Sequence, residues 1–343
     1  MSRAHAGSNG ASAHEELACA PGRRCLPPQY SSMKKLLVPL AIGILTLAVC
    51  LLVLELYLER LGYGNPPLYA HDPAIGFVLK PGQFLSRAHG CEVVINNLGM
   101  RGRDTTKEKP VGVKRVVVFG DSVPYGGSYI HQDDVFCAVA QSTLNRHSKG
   151  TKYEILNAGV NALGPRNVRE YVKRRGLYGA DMVIVFFPWG NLRRDYTTYY
   201  AVPFWSNSPR YALAEFCRHA CWAAFGYLSQ RWKEVDAFTN QDNLLLNIEA
   251  LADIKDICAA ARTPVYFFWS PYRAALKGQP DSYESDREIL RKAIPSAMMV
   301  MLDPLFAKVG DPDPLFVDEA HYSAKGHRLV GEYLAEFVAG RLN

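Results

Sequence analysis

Nineteen consecutive residues, Leu36 to Leu54, carry no charge, and Thr46 is their only clearly polar side chain. As a helix rising 1.5 Å per residue they reach about 28 Å, close to the roughly 30 Å hydrocarbon core of a bilayer. The stretch has no polar face, which a core helix of a soluble domain would show. A cleaved signal peptide would need a shorter apolar run and a small-x-small site. Here Glu55-Leu56-Tyr57-Leu58-Glu59 follows instead, and Val49 stands before Cys50 where lipidation would want a small residue. Arg3, Arg23, Arg24, Lys34 and Lys35 all precede the segment. That bias predicts a cytoplasmic N-terminus and an extracytoplasmic remainder, periplasmic in a Gram-negative cell. The chain reads as a single-pass membrane protein.

The rest is long enough for one large domain with additions. Of 343 residues, 48% are apolar and 21% charged, which excludes fibrous and wholly disordered classes. The net charge of +6 is not gathered into runs, so it gives no footprint for nucleic acid. Outside the tail and the span five cysteines remain, Cys91, Cys137, Cys217, Cys221 and Cys258, an odd number without repeated spacing. Cys217-Arg218-His219-Ala220-Cys221 lacks the spaced ligand pairs of a zinc site, so no metal is expected. Composition divides the chain into a disordered tail over 1–32, the anchor over 33–60 and a loop- and strand-rich lead-in over 61–112. A domain over 113–343 follows.

In that last region short apolar runs alternate with helical periodicity. Arg115–Phe119, a run opening at Ile155-Leu156, Met182–Phe187, Pro264–Trp269 and Met298–Leu302 read as buried strands. Leu244, Ile248, Leu251, Ile254 and Cys258 mark one face of a helix, and Leu329 to Val338 mark a C-terminal one. Alternation of this kind predicts an α/β fold with a parallel sheet and helices on both faces. Ile75–Leu79 and Cys91–Ile95 read as short strands of the lead-in. An insertion over about 192–243 breaks the pattern with eleven aromatic residues from Tyr196 to Trp232. It reads as a lid, a membrane-facing surface or extra packed helices.

Ligands of parallel sheets bind beyond the strands' C-terminal ends. The first strand is followed there by Gly120-Asp121-Ser122, a serine at a strand-to-helix turn. The second is followed by Asn157-Ala158-Gly159, and a glycine can present its N–H where a side chain would block the approach. Asn191 ends the third in Pro188-Trp189-Gly190-Asn191, offering an amide N–H. Before the last helix, Asp318 stands three residues ahead of His321, close enough to fix its tautomer. Asp121 reads as a brace for the serine's turn, His327 as a solvated helix residue, and Arg193 and Arg194 as a solvated pair or contacts for an anionic substrate. No Gly-x-Gly-x-x-Gly or Gly-Lys-Ser/Thr phosphate loop follows the first strand.

These four blocks, in this order, resemble the SGNH hydrolases, also called GDSL-type lipases and esterases. The likeness runs from about Lys114 to the C-terminus, and Asn96-Asn97-Leu98-Gly99-Met100-Arg101-Gly102 looks like the lead-in of membrane-anchored bacterial members. Two positions depart from the family pattern: Val123 follows Gly-Asp-Ser, and Leu192 stands where Gly-x-Asn-Asp would place the aspartate. The resemblance implies a three-layer, flavodoxin-like α/β/α fold and ester hydrolysis without a metal or organic cofactor. It implies Ser122 as nucleophile, His321 as base, Asp318 as its orienter, and an oxyanion hole from Ser122, Gly159 and Asn191. The expected substrate is an acyl ester, of acetyl or short-chain type, on an envelope glycan. An O-acyltransferase, a long-chain lipase and a non-catalytic binding protein are the competing readings.

Overall fold

The computed structural model describes residues 28–87, 90–198, 204–233, 241–279 and 283–342. Residues 1–27 of the tail expected over 1–32, as well as Tyr199 and Tyr200 of the insertion, lie outside them. The chain divides into two compact units, Met1–Val53 and Leu54–Asn343.

Helix α1 (Pro28–Arg60) carries the apolar segment and starts five residues before Met33, in what the sequence reads as tail. Proline suits a first helical position, where its missing N–H has no intrahelical partner to lose. Among the described residues α1 is the one helix long and apolar enough to cross a membrane, over Lys35–Arg60. Its apolar side chains from Leu36 to Val53 are exposed, as a lipid-facing helix requires. The last turns belong to the second unit. There Leu58 is buried, and the Glu55 carboxylate accepts the N–H groups of Ala212 (2.6 Å) and Leu213 (3.0 Å).

The lead-in forms two antiparallel hairpins, β1 (Tyr69–Asp72) with β2 (Gly76–Leu79) and β3 (Gln83–Ser86) with β4 (Glu92–Ile95). The large domain then runs β5 (Val113–Gly120), α2 (Ser122–Tyr125), α3 (Phe136–His147), β6 (Lys152–Gly159), α4 (Pro165–Arg175) and β7 (Met182–Pro188). It continues through α5 (Ala212–Lys233), α6 (Gln241–Ala260), β8 (Val265–Ser270), α7 (Arg273–Leu276), α8 (Glu284–Ala293), β9 (Met299–Met301), α9 (Asp303–Ala307) and α10 (Ala324–Leu342). The five strands β5 to β9 pair in parallel in the order β6-β5-β7-β8-β9.

Alternation along each strand builds the two cores. Val117, Phe119, Val183, Val185 and Phe267 pack on α4, α6, α8 and the lead-in hairpins. Their neighbours Val116, Val118, Ile184, Phe186 and Phe268 pack on α3 and α10. The fold is therefore a three-layer α/β/α sandwich, and the lead-in serves as part of one helical layer. Arg101 fastens it there. Buried and stacked on Tyr125, it donates to the carbonyls of Tyr125 (2.7 Å) at the end of α2 and of Gly127 (2.6 Å) and Ile130 in the loop that follows.

The insertion behaves as two parts. Phe204 stacks on Tyr69 at 3.8 Å between ring centroids and also touches Phe77, and Tyr196 donates to the Ala74 carbonyl. This part covers the β1–β2 hairpin. Along α5, in contrast, every residue from Phe216 to Ala224 is exposed.

Candidate active site

Strand β5 ends at Gly120, where a side chain has no room: a Cβ would lie 2.2 Å from the Phe186 carbonyl oxygen of β7. The chain can then turn at once into α2. Asp121 caps that helix, accepting the Val123 N–H at 2.9 Å, and Gly126 closes it at φ +88°. Ser122 stands at the first helical position, half-buried above the sheet, and donates its Oγ hydrogen to His321 Nε2 at 2.7 Å.

His321 arrives from the other end of the domain, on the loop before α10. Its Nδ1–H faces Asp318, 2.8 Å from Oδ2 and 3.1 Å from Oδ1. The carboxylate also accepts the backbone N–H groups of Ala320 (2.9 Å) and His321 (2.8 Å), so it is fixed by its own turn. Partial burial by itself would raise the Asp318 pKa. These N–H groups and the imidazole outweigh it and hold the carboxyl below its ordinary value. An ionised Asp318 keeps the proton on Nδ1 and leaves the Nε2 lone pair for the serine. The three residues, separated by up to 199 positions in sequence, form one hydrogen-bonded line. Such a line can activate a hydroxyl for attack on a carbonyl carbon.

The two other block residues lie at the C-terminal ends of the strands flanking β5. Asn191 is buried in a 3₁₀ turn after β7, and its Nδ2 donates to Asp121 Oδ2 at 2.7 Å. Gly159 ends β6, paired with Gly120 in the register. Its N–H donates to Asn157 Oδ1 at 3.0 Å, while Asn157 Nδ2 donates to the Pro124 carbonyl at 2.6 Å. In this arrangement the Gly159 N–H reaches a further acceptor only by exchanging Asn157 for it. The glycine has a second duty that the sequence did not suggest. A Cβ on it would lie 2.5 Å from the Tyr125 nitrogen and 2.9 Å from the Pro124 carbonyl carbon, so α2 could not seat against β6. Both obstacles are backbone and cannot rotate away. Gly159→Ala is therefore expected to cost about 1–3 kcal/mol, a fall in Tm of several degrees by thermal melting, together with a loss of activity.

Three further sequence expectations meet the structure. Asp121 is the expected brace, wholly buried between Val123 and Asn191. Burial raises its pKa, and the Arg194 charge and the two donors act in the opposite direction. His327 is a correction: instead of lying in solvent it is 1% exposed, with Nδ1 accepting the Phe136 N–H at 3.3 Å. The turn of α10 that carries it faces α3, so the first apolar positions of that helix pack one turn earlier than Leu329. Arg193 and Arg194 are not a solvated pair either. Arg193 grips the buried Asp286 with bonds of 2.7 and 2.8 Å, and Arg194 Nε donates to Asn191 Oδ1 at 2.6 Å.

One residue of the site escaped the sequence reading altogether. Asn247 of α6 is fully buried and donates to the carbonyls of Asn191 (3.3 Å), Leu192 (2.9 Å) and Arg194 (2.8 Å), tying down the 3₁₀ turn. Its signal was present: it is a polar residue inside the apolar stripe formed by Leu244, Ile248 and Leu251.

The blocks that carry Ser122, Gly159, Asn191 and His321 thus meet at the C-terminal edge of the parallel sheet. No protein-family model and no curated protein matches the sequence. Among solved structures it is similar to a lipase/acylhydrolase from Enterococcus faecalis, with 13% identity over 66% of this chain and 96% of that one and a TM-score of 0.42. It is also similar to the acetyl xylan esterase AlAXEase, with 14% identity over 65% and 99% of the two chains and a TM-score of 0.45. An acetylxylan esterase from Geobacillus stearothermophilus matches with 12% identity over 66% and 93% and a TM-score of 0.41. At this distance the reading of the chemistry rests on the geometry of the site itself.

Proposed function

We propose that the chain is a serine ester hydrolase, anchored by α1, that removes acetyl or other short acyl groups from an envelope glycan. The hydrogen-bonded line Ser122–His321–Asp318 carries the reading. In the reaction Ser122 Oγ attacks the ester carbonyl carbon as its proton passes to His321 Nε2. The imidazolium that forms is stabilised by Asp318 through Nδ1–H. In this reading the carbonyl oxygen becomes an oxyanion and accepts the Ser122 N–H and the second hydrogen of Asn191 Nδ2. The Gly159 N–H joins them by releasing Asn157. His321 then returns its proton to the departing alcohol, leaving an acyl group on Ser122. Water, deprotonated by the same Nε2, cleaves that intermediate to the carboxylic acid and free serine. A sugar hydroxyl in place of water would make the enzyme a transferase, and the same acyl-enzyme serves both.

The anchor supports a substrate held at the envelope. With the basic residues on its N-terminal side, the hydrolase unit is assigned to the extracytoplasmic face. The test is turnover by the detergent-solubilised full chain of nitrophenyl esters from acetyl to dodecanoyl and of an acetylated polysaccharide. Acetyl release should exceed dodecanoyl release by at least about tenfold, with free acetate as product. A preference for long chains would replace this reading with a lipase, and acetyl transfer to added sugar in place of acetate release would replace it with a transferase. Protease added to intact spheroplasts should cleave the second unit but not the N-terminus, and the reverse pattern would overturn the orientation.

A further inference from the structure

We propose that Arg194 is a positioning residue that sets the orientation and donor strength of the Asn191 amide in the oxyanion hole. The inference rests on the ester-hydrolase reading and adds to it a residue that the family's four blocks do not include. An asparagine amide has two ends of nearly equal shape, and only one orientation offers N–H to the reaction. Asn191 is held from both ends. Asp121 Oδ2 accepts from Nδ2 at 2.7 Å, and Arg194 Nε donates to Oδ1 at 2.6 Å. Rotation of the amide by 180° would set its oxygen against the carboxylate and its NH₂ against the guanidinium, losing two charge-assisted bonds at once. One hydrogen of Nδ2 goes to Asp121, which leaves the other for an oxyanion. A cation on the amide oxygen also polarises the group and makes that remaining N–H a stronger donor.

Arg194 is itself placed for this task. Its stem passes over Gly164, where a Cβ would come within 3.3 Å of the Arg194 Cδ. Its own carbonyl accepts from Asn247 at 2.8 Å, and its N–H donates to the Asn191 carbonyl at 3.2 Å. The neighbouring Arg193 pairs with Asp286 and Arg166 with Asp195, whereas among the described residues Arg194 meets no carboxylate within ion-pair distance. Its charge is therefore directed along Asn191 to Asp121, the cap of the nucleophile's helix. The departure from the family pattern fits this arrangement. Leu192 occupies the position after Asn191 where an aspartate would stand, and the orienting polar contact comes instead from two residues further along.

The test uses the detergent-solubilised full chain and two readouts, turnover of nitrophenyl acetate and the rate at which a fluorophosphonate labels Ser122. Asn191→Ala should lower kcat by about 10²–10³-fold, the loss of one oxyanion donor. Arg194→Met should lower kcat by about 10–100-fold while KM stays within about twofold and Tm within a few degrees. Because Arg194 acts through Asn191, the double variant should be no slower than Asn191→Ala alone. Arg194→Lys keeps the charge and the stem over Gly164 but lacks Nε–H, and should be slowed less than Arg194→Met, because a cation still stands near the amide oxygen. The labelling rates should fall in the same order.

An Arg194→Met protein with unchanged kcat and labelling would overturn the proposal, and so would a double variant whose loss is the product of the two single losses. A fall in Tm with kcat and KM both altered, in Arg194→Lys as well as Arg194→Met, would make Arg194 a structural residue only. Failure of the wider reading looks different: Ser122→Ala would then retain wild-type turnover, or the wild-type chain would neither turn over the ester nor take the label, and the proposal would fall with it.

Discussion

Ser122→Ala is expected to lower kcat for nitrophenyl acetate by at least about 10⁴-fold, with the fold intact by circular dichroism and Tm. The magnitude follows from how a nucleophile, base and orienter work as one device: removing any necessary member removes most of the shared gain. His321→Ala should therefore be about as inactive, since Ser122 Oγ has Nε2 at 2.7 Å to take its proton. The double variant should be no worse than either single one. Asp318 should matter less. Its side chain is 56% exposed, so water shares in stabilising the imidazolium, and Asp318→Asn should retain at least about tenfold more activity than Ser122→Ala. Residual turnover above a tenth of wild type in Ser122→Ala would remove this serine from the mechanism. Equal activity of Asp318→Asn and wild type would instead remove only the orienter.

Much of this site could be read from the residues because its parts are local. Buried parallel strands are continuous apolar runs, so Arg115–Phe119 and Met182–Phe187 stand out, and the turns at their C-terminal ends follow directly. Asp318 and His321 share one turn and need no tertiary information to meet. The order β6-β5-β7-β8-β9 was not legible, since pairing between distant segments leaves no local periodicity. The strands β1 and β3 were missed for a related reason. They are four residues long, and Gln83–Ser86 has only Leu85 buried, too little alternation to read. The polar scaffolding was the hardest part. Arg101 and Asn247 act on carbonyl oxygens far away in sequence and Arg194 on an amide oxygen three residues back, and a residue type that serves equally well in solvent does not announce a buried partner. His327 was misread on the same ground. The apolar positions after it describe one helix face, but whether the preceding turn is covered depends on α3, nearly two hundred residues away.

The burial of His327 leads to a second large effect, on stability against pH. The ring lies flat against Phe136, with 5.8 Å between centroids, and meets the edge of Tyr322 at 5.5 Å. Its Nδ1 already accepts the Phe136 N–H, and the basic groups it faces, Arg101 and His321, oppose a further positive charge. Burial, then these groups, lower its pKa to about 3. In the unfolded chain the same histidine titrates near 6.5. Between these two values the unfolded state holds a proton that the folded state refuses, so stability falls as pH falls. The contribution is complete above pH 6.5 and declines by about 1.4 kcal/mol for each pH unit below it, reaching nearly 3 kcal/mol at pH 4.5. Asp318 does not act in this window. Its lowered pKa gives stability that is lost only below the ordinary aspartate range. Asp121 acts with the opposite sign, because its raised pKa means that the fold gains as it takes up a proton on acidification. His327→Asn separates the terms, since an amide oxygen can accept the Phe136 N–H and cannot be protonated. That variant should be the less stable one at pH 8, where its lost aromatic packing shows alone. Its deficit in denaturant midpoint should then shrink steadily toward pH 4.5 as wild type loses the histidine's share. A deficit that stays constant from pH 8 to pH 4.5 would mean that His327 takes up its proton in the folded state as readily as in the unfolded one, and would contradict the buried, neutral ring.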